Sequence, residues 1–117
     1  MNHILLVDDD LNFRRSLLIH MELEGYKVTG AESPLQALSI LNKYEKQNRL
    51  PDVIITDIKM PEMDGRNFAN KIRIKHPEIP IIMISAFDVP DNTLDFPFLK
   101  KPFKVQEILN IVENFTK

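Results

Sequence analysis

The sequence predicts an α/β chain: a doubly wound, five-stranded parallel sheet with helices on both faces. Two observations carry this. Five short strand-like runs, at 3–7, 27–31, 53–57, 80–84 and 96–100, alternate with segments of helical period, the pattern of a parallel sheet linked by crossover helices. The runs at 3–7, 53–57 and 80–84 are dense in Ile, Leu and Val rather than alternating, as in strands buried on both faces.

The elements follow in order. His3 to Val7 is a strand that runs into Asp8, Asp9 and Asp10. Leu11 to Glu24 reads as a helix with Phe13, Leu17, Leu18 and Met21 near one face, and Gly25 is its expected stop. Lys27 to Ala31 is the second strand. Ser33-Pro34-Leu35-Gln36 is a capping box with proline at the first helical position, opening a helix to about Lys46. Val53 to Asp57 is the central strand, and Pro61 and Asp64-Gly65 force a loop after it. Asp64 can cap a third helix that Pro77 ends. Pro80 to Ile84 is a strand closed by Ser85-Ala86, and Phe96 to Lys100 is one closed by Lys101-Pro102. The last helix covers about 103–115, with Val105, Ile108, Leu109, Val112 and Phe115 on one stripe. Right-handed crossovers leave the flavodoxin-like order 2-1-3-4-5 as the common solution at this size.

Composition bounds the function. The 117 residues make one domain, 1–117, large enough for a real core. Fifteen basic and seventeen acidic residues leave a net charge of −2, so there is no electrostatic footprint for direct nucleic-acid or membrane binding. There is no cysteine, hence no disulfide and no thiolate chemistry. No apolar run is long enough to span a bilayer and no signal peptide is visible, which makes a cytoplasmic protein the expectation. His3, His20 and His76 are not clustered and receive no role.

In the predicted order, parallel strands bring Asp8, Asp9, Asp57, Ser85 and Lys101 to the crevice at the carboxyl edge of the sheet, where open α/β sheets bind ligands. A carboxylate at the end of a buried strand is costly unless paired. Three together repel one another and need a cation, and a hard divalent ion such as Mg²⁺ suits an all-oxygen site. Lys101 supplies a point charge for phosphoryl oxygen and Ser85 a hydroxyl. Nucleophile, charge neutralisation and orientation are what phosphoryl transfer needs, and aspartate is an established nucleophile in it.

The motifs Ile4-Leu5-Leu6-Val7-Asp8-Asp9-Asp10, Thr56 to Gly65, Ser85-Ala86 and Lys101-Pro102-Phe103 resemble those of the receiver domain of two-component response regulators, over essentially the whole chain. The resemblance implies a signalling switch that is a self-catalysed phosphoacceptor with autophosphatase activity, not a dedicated enzyme. Asp57 would take a phosphoryl group from a phosphohistidine of a sensor histidine kinase or a histidine phosphotransfer protein. Asp9 would bind Mg²⁺ directly, Asp8 through water, with Asp57 and the backbone carbonyl of Lys59 completing the metal ligands. Ser85 and Lys101 would bind phosphoryl oxygens, with a cis peptide before Pro102. Phe98 matches the rotating aromatic that acts with Ser85 as the switch. Lys59 and Phe87 would flank the path of attacking water, and the bulk of Phe87 implies slow self-hydrolysis.

Two other readings have a place. Haloacid-dehalogenase-type phosphohydrolases also use an Asp nucleophile with Mg²⁺, but carry a second acid where this chain has Lys59. A non-phosphorylated pseudo-receiver would act as a plain binding module, against which the full set of acids, hydroxyl and lysine argues. The chain also departs from the family between Ser85 and Lys101, where it is shorter by roughly six residues, more than one helical turn. Pro90, Pro97, Asp88, Asp91 and Asn92 disfavour a helix there. The expectation is a fourth helix that is missing or cut to about a turn around 91–95, in a mobile segment. A monomer, or a weak dimer not built through that helix, follows. The partner kinase, the pathway and the length of the parent protein are not legible.

Overall fold

The computed structural model describes residues 2–61, 63–88 and 96–116. Five strands, β1 (His3–Val7), β2 (Lys27–Ala31), β3 (Val53–Asp57), β4 (Ile81–Ser85) and β5 (Phe98–Lys100), form one sheet in the order β2-β1-β3-β4-β5. Every neighbouring pair is parallel. The described residues carry four helices: α1 (Leu11–Leu23), α2 (Pro34–Lys46), α3 (Gly65–Lys75) and α4 (Val105–Thr116). The predicted topology is the one observed.

All residues of β1, β3 and β4 are buried, whereas β2 and β5 at the edges are not. That explains why the central strands read as continuous apolar runs. Successive side chains alternate between two layers. Ile4 and Leu6 face a layer made by Leu17 and Met21 of α1 and Ile108 and Val112 of α4. Leu5, Val7 and Ile54 face the opposite layer, made by Ala37 and Leu41 of α2 and Phe68 and Ile72 of α3. The sheet is thus held from both sides, and its carboxyl edge is left for chemistry.

Local signals fix the helix ends. The Asp10 carboxylate accepts the amides of Asn12 and Phe13 at the start of α1. Gly25, at φ +97°, turns the chain out after α1, a conformation glycine adopts without strain. Ser33 Oγ accepts the Gln36 amide at 3.1 Å. The Gln36 side chain reaches back to the Glu32 amide at 2.6 Å, one residue before the cap rather than the cap itself. Asp64 caps α3 by accepting the Arg66 amide at 2.8 Å.

Three boundaries shift. Strand β4 begins at Ile81 and β5 at Phe98, each right after a proline, which has no amide to donate to a ladder. The carbonyls of Pro80 and Pro97 still accept from Ile54 and Met83. Helix α4 begins at Val105, two residues later than expected. The expectation of a missing or single-turn helix around 91–95, in a mobile segment, falls in 89–95, outside the described residues.

Candidate functional site

Strands β1 and β3 lie side by side and end level, Val7 pairing with Thr56. Asp8 and Asp57, the next residue of one and the last of the other, therefore meet at the sheet edge. Both are buried, Asp8 fully and Asp57 to 8% exposure. Strand β5 sets Lys101 against them: its backbone amide donates to the Ser85 carbonyl at 2.7 Å, and the ammonium donates to Asp8 Oδ2 at 2.7 Å and Asp57 Oδ2 at 3.1 Å.

Each buried carboxylate uses its second oxygen as well. Asp8 Oδ1 accepts the Asp10 amide at 2.9 Å, and Asp57 Oδ1 accepts the Lys59 amide at 3.2 Å. Arg14 Nη1 donates to the Asp8 backbone carbonyl at 2.6 Å, tying α1 to the end of β1. Burial pushes the Asp8 carboxyl above its ordinary range, against the pull of its hydrogen bond to Lys101. Burial alone would lower Lys101; its bond to Asp8 and the charges of Asp8 and Asp57 outweigh that, and its pKa rises. The lysine is held as a cation.

Asp9 is exposed, yet one oxygen from each of Asp8, Asp9 and Asp57 falls in a group spanning at most 4.8 Å. An open cleft of about 450 Å³, lined by Asp9, Lys59, Met60 and Asp64 among others, adjoins them. Carboxylate oxygens beside an open cleft fit Mg²⁺, which keeps several waters and takes one or two carboxylates from a protein. Among the described residues no histidine joins this group.

Ser85 is buried at the end of β4, and its Oγ accepts the Phe87 amide at 3.1 Å rather than a bond from Lys101. Lys59 extends its ammonium over the exposed Phe87 ring, 4.6 Å from the centroid. Phe98 is half-buried in β5, two residues short of the strand end and packed against the core layer of α2 and α3. The Lys101-Pro102 peptide is cis, as the resemblance implied.

Two contributors were missed. Phe13 read only as a core position of α1, but its ring lies 4.0 Å from Lys101 Nζ. Gly65 read as a turn residue, but it is a close approach. Its amide donates to the Ile58 carbonyl at 2.6 Å, and an added Cβ would strike the Asp57 carbonyl oxygen and stand 2.8 Å from Ile58 Cα. Asp-Gly before a helix was the available signal.

A cluster of three acids, a lysine cation and a hydroxyl, at the carboxyl edge of a doubly wound sheet, defines a phosphoacceptor class of protein. The response regulator receiver domain profile matches residues 4–113, and the chain belongs to that family, whose members are phosphoacceptor switches of two-component systems. The response regulator receiver protein CpdR of Brucella abortus is 34% identical, over 97% of this chain and 95% of its own length. The transcriptional regulatory protein GlrR of Escherichia coli is also 34% identical over 96% of the chain. The chain spans only about a quarter of GlrR, 26% of its length. Among solved structures, the response regulator TrrA of Thermotoga maritima in complex with Mg²⁺-BeF superposes with a TM-score of 0.84 at 30% identity, covering 98% of this chain and 99% of that one. A chain from the crystal structure of the histidine kinase ThkA in complex with TrrA matches with a TM-score of 0.85 at 28% identity, covering 100% of this chain and 100% of that one. Nothing favours the phosphohydrolase or the pseudo-receiver.

The close approach at Gly65 is testable by stability. Gly65→Ala must push backbone against backbone and should lose about 2 kcal/mol in chemical denaturation. A midpoint equal to that of the unchanged protein would contradict this packing.

Proposed function

We propose that Asp57 is the phosphoacceptor of this switch and that 1–117 works as one receiver unit. The observation that carries the reading is the Lys101 ammonium donating to both Asp8 and Asp57. A fixed cation beside the nucleophile is where negative charge builds during phosphoryl transfer.

In this reading an Asp57 carboxylate oxygen attacks the phosphorus of a phosphohistidine. The new P–O bond forms as the P–N bond breaks, and the imidazole leaves with the electron pair and takes a proton. Lys101 stays within reach of the transferred group and pairs with one of its oxygens. Ser85, whose Oγ accepts the Phe87 amide, donates its hydroxyl proton to another, which draws the start of the β4–β5 connection inward. Phe98 follows on the neighbouring strand and carries the change to the surface. Asp8, Asp9, Asp57 and the Lys59 carbonyl would hold Mg²⁺, which supplies charge neutralisation on the phosphoryl oxygens when bound.

The donor is a sensor histidine kinase or a histidine phosphotransfer protein, a reading supported by the ThkA–TrrA neighbour. Among the described residues no helix is long and apolar enough to cross a membrane. A cytoplasmic protein, monomeric or weakly dimeric through a face other than a helix between β4 and β5, is the corresponding proposal. Self-hydrolysis is the one turnover expected of it.

The assignment is tested by labelling with acetyl phosphate. Asp57→Asn should lose labelling with the fold intact, and the unchanged protein should lose it in EDTA. Labelling of Asp57→Asn at the unchanged rate would move the site elsewhere.

The Lys59–Phe87 contact generates a second expectation. In this reading the Phe87 ring, held by the Lys59 cation, covers the phosphoryl group, offers water no hydrogen bond and blocks its approach, so Phe87→Ala should shorten the phosphoryl lifetime several-fold. Equal lifetimes, followed by loss of label after removal of the donor, would exclude shielding by Phe87.

A further inference from the structure

The Lys101 ammonium has three N–H donors. Two go to Asp8 Oδ2 and Asp57 Oδ2. The Phe13 ring stands beside it, 4.0 Å from centroid to Nζ, within the range of a strong cation–π contact. Lys101 has only 14% of its side chain exposed, so this contact is largely shielded from water. Phe13 is held in turn by Phe103, edge to face, with centroids 5.8 Å apart and planes at 85°. An edge-to-face pair directs the positive rim of one ring at the negative face of the other.

We infer that Phe13 is a positioning residue for the phosphoryl-transfer reaction: its ring face holds the Lys101 ammonium against Asp8 and Asp57. The inference rests on the phosphoacceptor reading of Asp57. Phe13 does not behave as a plain core residue. It is only half-buried. It also borders a cavity of about 290 Å³ shared with Leu17, Lys101, Pro102, Phe103 and Val105. That cavity offers Lys101 a second place to go. Without a π face on that side, water entering from the cavity would compete for the ammonium, and the lysine would spend part of its time turned away from Asp57. The ring removes that alternative while making no bond to substrate.

The test separates the π face from mere bulk. Phe13→Leu fills much of the volume without a quadrupole, and Phe13→Tyr keeps the ring. Phosphorylation is measured with acetyl phosphate and Mg²⁺, a small donor that excludes effects on docking of a protein partner. Phe13→Leu should be slowed roughly fivefold, and Phe13→Tyr should stay within about twofold of the unchanged protein. The Lys101 Hε resonances, shifted by the ring current of Phe13, should move in the Leu variant and not in the Tyr variant. Phe13→Met takes the place of Phe13→Leu should the latter not fold. An unchanged rate in the aliphatic variant, or equal slowing in Leu and Tyr, would overturn the inference. Asp57→Asn in the same assay keeps the two proposals apart: label on that variant strikes the phosphoacceptor reading, and its absence leaves Phe13 to be judged on its own rates.

Discussion

The Lys101 ammonium stands between two buried carboxylates, and much of the carboxyl edge depends on it. Asp8 and Asp57 carry like charges at the ends of adjacent strands, out of bulk water. Unit charges about 4 Å apart interact by roughly 4 kcal/mol at the effective dielectric of a protein surface. One cation donating to both turns that repulsion into two attractions. Such an arrangement adds little net stability over an apolar one, since burying the charges is costly, but losing a partner is strongly destabilising. The trio is therefore better understood as a functional device than as a stabilising one: it holds the two carboxylates close together at one edge, at the cost of a site that must always contain a positive charge.

The fold supplies that geometry with short-range means. Parallel strands put β1 and β3 in register, so consecutive crossovers deliver Asp8 and Asp57 to the same edge. The amides of Asp10 and Lys59 take one oxygen of each carboxylate, leaving the other for Lys101. Arg14 and Gly65 fasten the flanking segments, one through the Asp8 carbonyl and the other by backbone contact with Ile58. Around this base sit Ser85 with its local bond to the Phe87 amide, Lys59 stacked on Phe87, and Phe98 in a short, half-buried edge strand. In the proposed reading the paired carboxylates are the fixed part of a two-state switch and these neighbours its adjustable part.

Most of the architecture was legible because it rests on periodicity and punctuation. Val53-Ile54-Ile55 reads as a doubly buried strand, Ser33-Pro34 as a helix start, and the polar residues at strand ends as one edge once the sheet order is known. Details that depend on a third dimension were not. Prolines 80 and 97 trimmed β4 and β5 because a ladder needs amides at those positions. Gln36 bonded one residue upstream of the expected partner, a matter of side-chain reach. Phe13 satisfies the helical stripe and the lysine at once, and a stripe records only the first. The tightness at Gly65 arises from two segments crossing, which no local pattern encodes.

The central claim, that Lys101 supplies the positive charge this edge cannot do without, is tested most directly by unfolding the unchanged protein and Lys101→Met in EDTA and in saturating Mg²⁺. A ligand that binds the native state stabilises it according to its affinity. With Lys101 gone, the carboxylates should bind the divalent ion more tightly. The account predicts that Lys101→Met is the less stable protein in EDTA, by about 3 kcal/mol, and gains clearly more from Mg²⁺ than the unchanged protein does. Equal stability in EDTA together with an equal Mg²⁺ increment would contradict it.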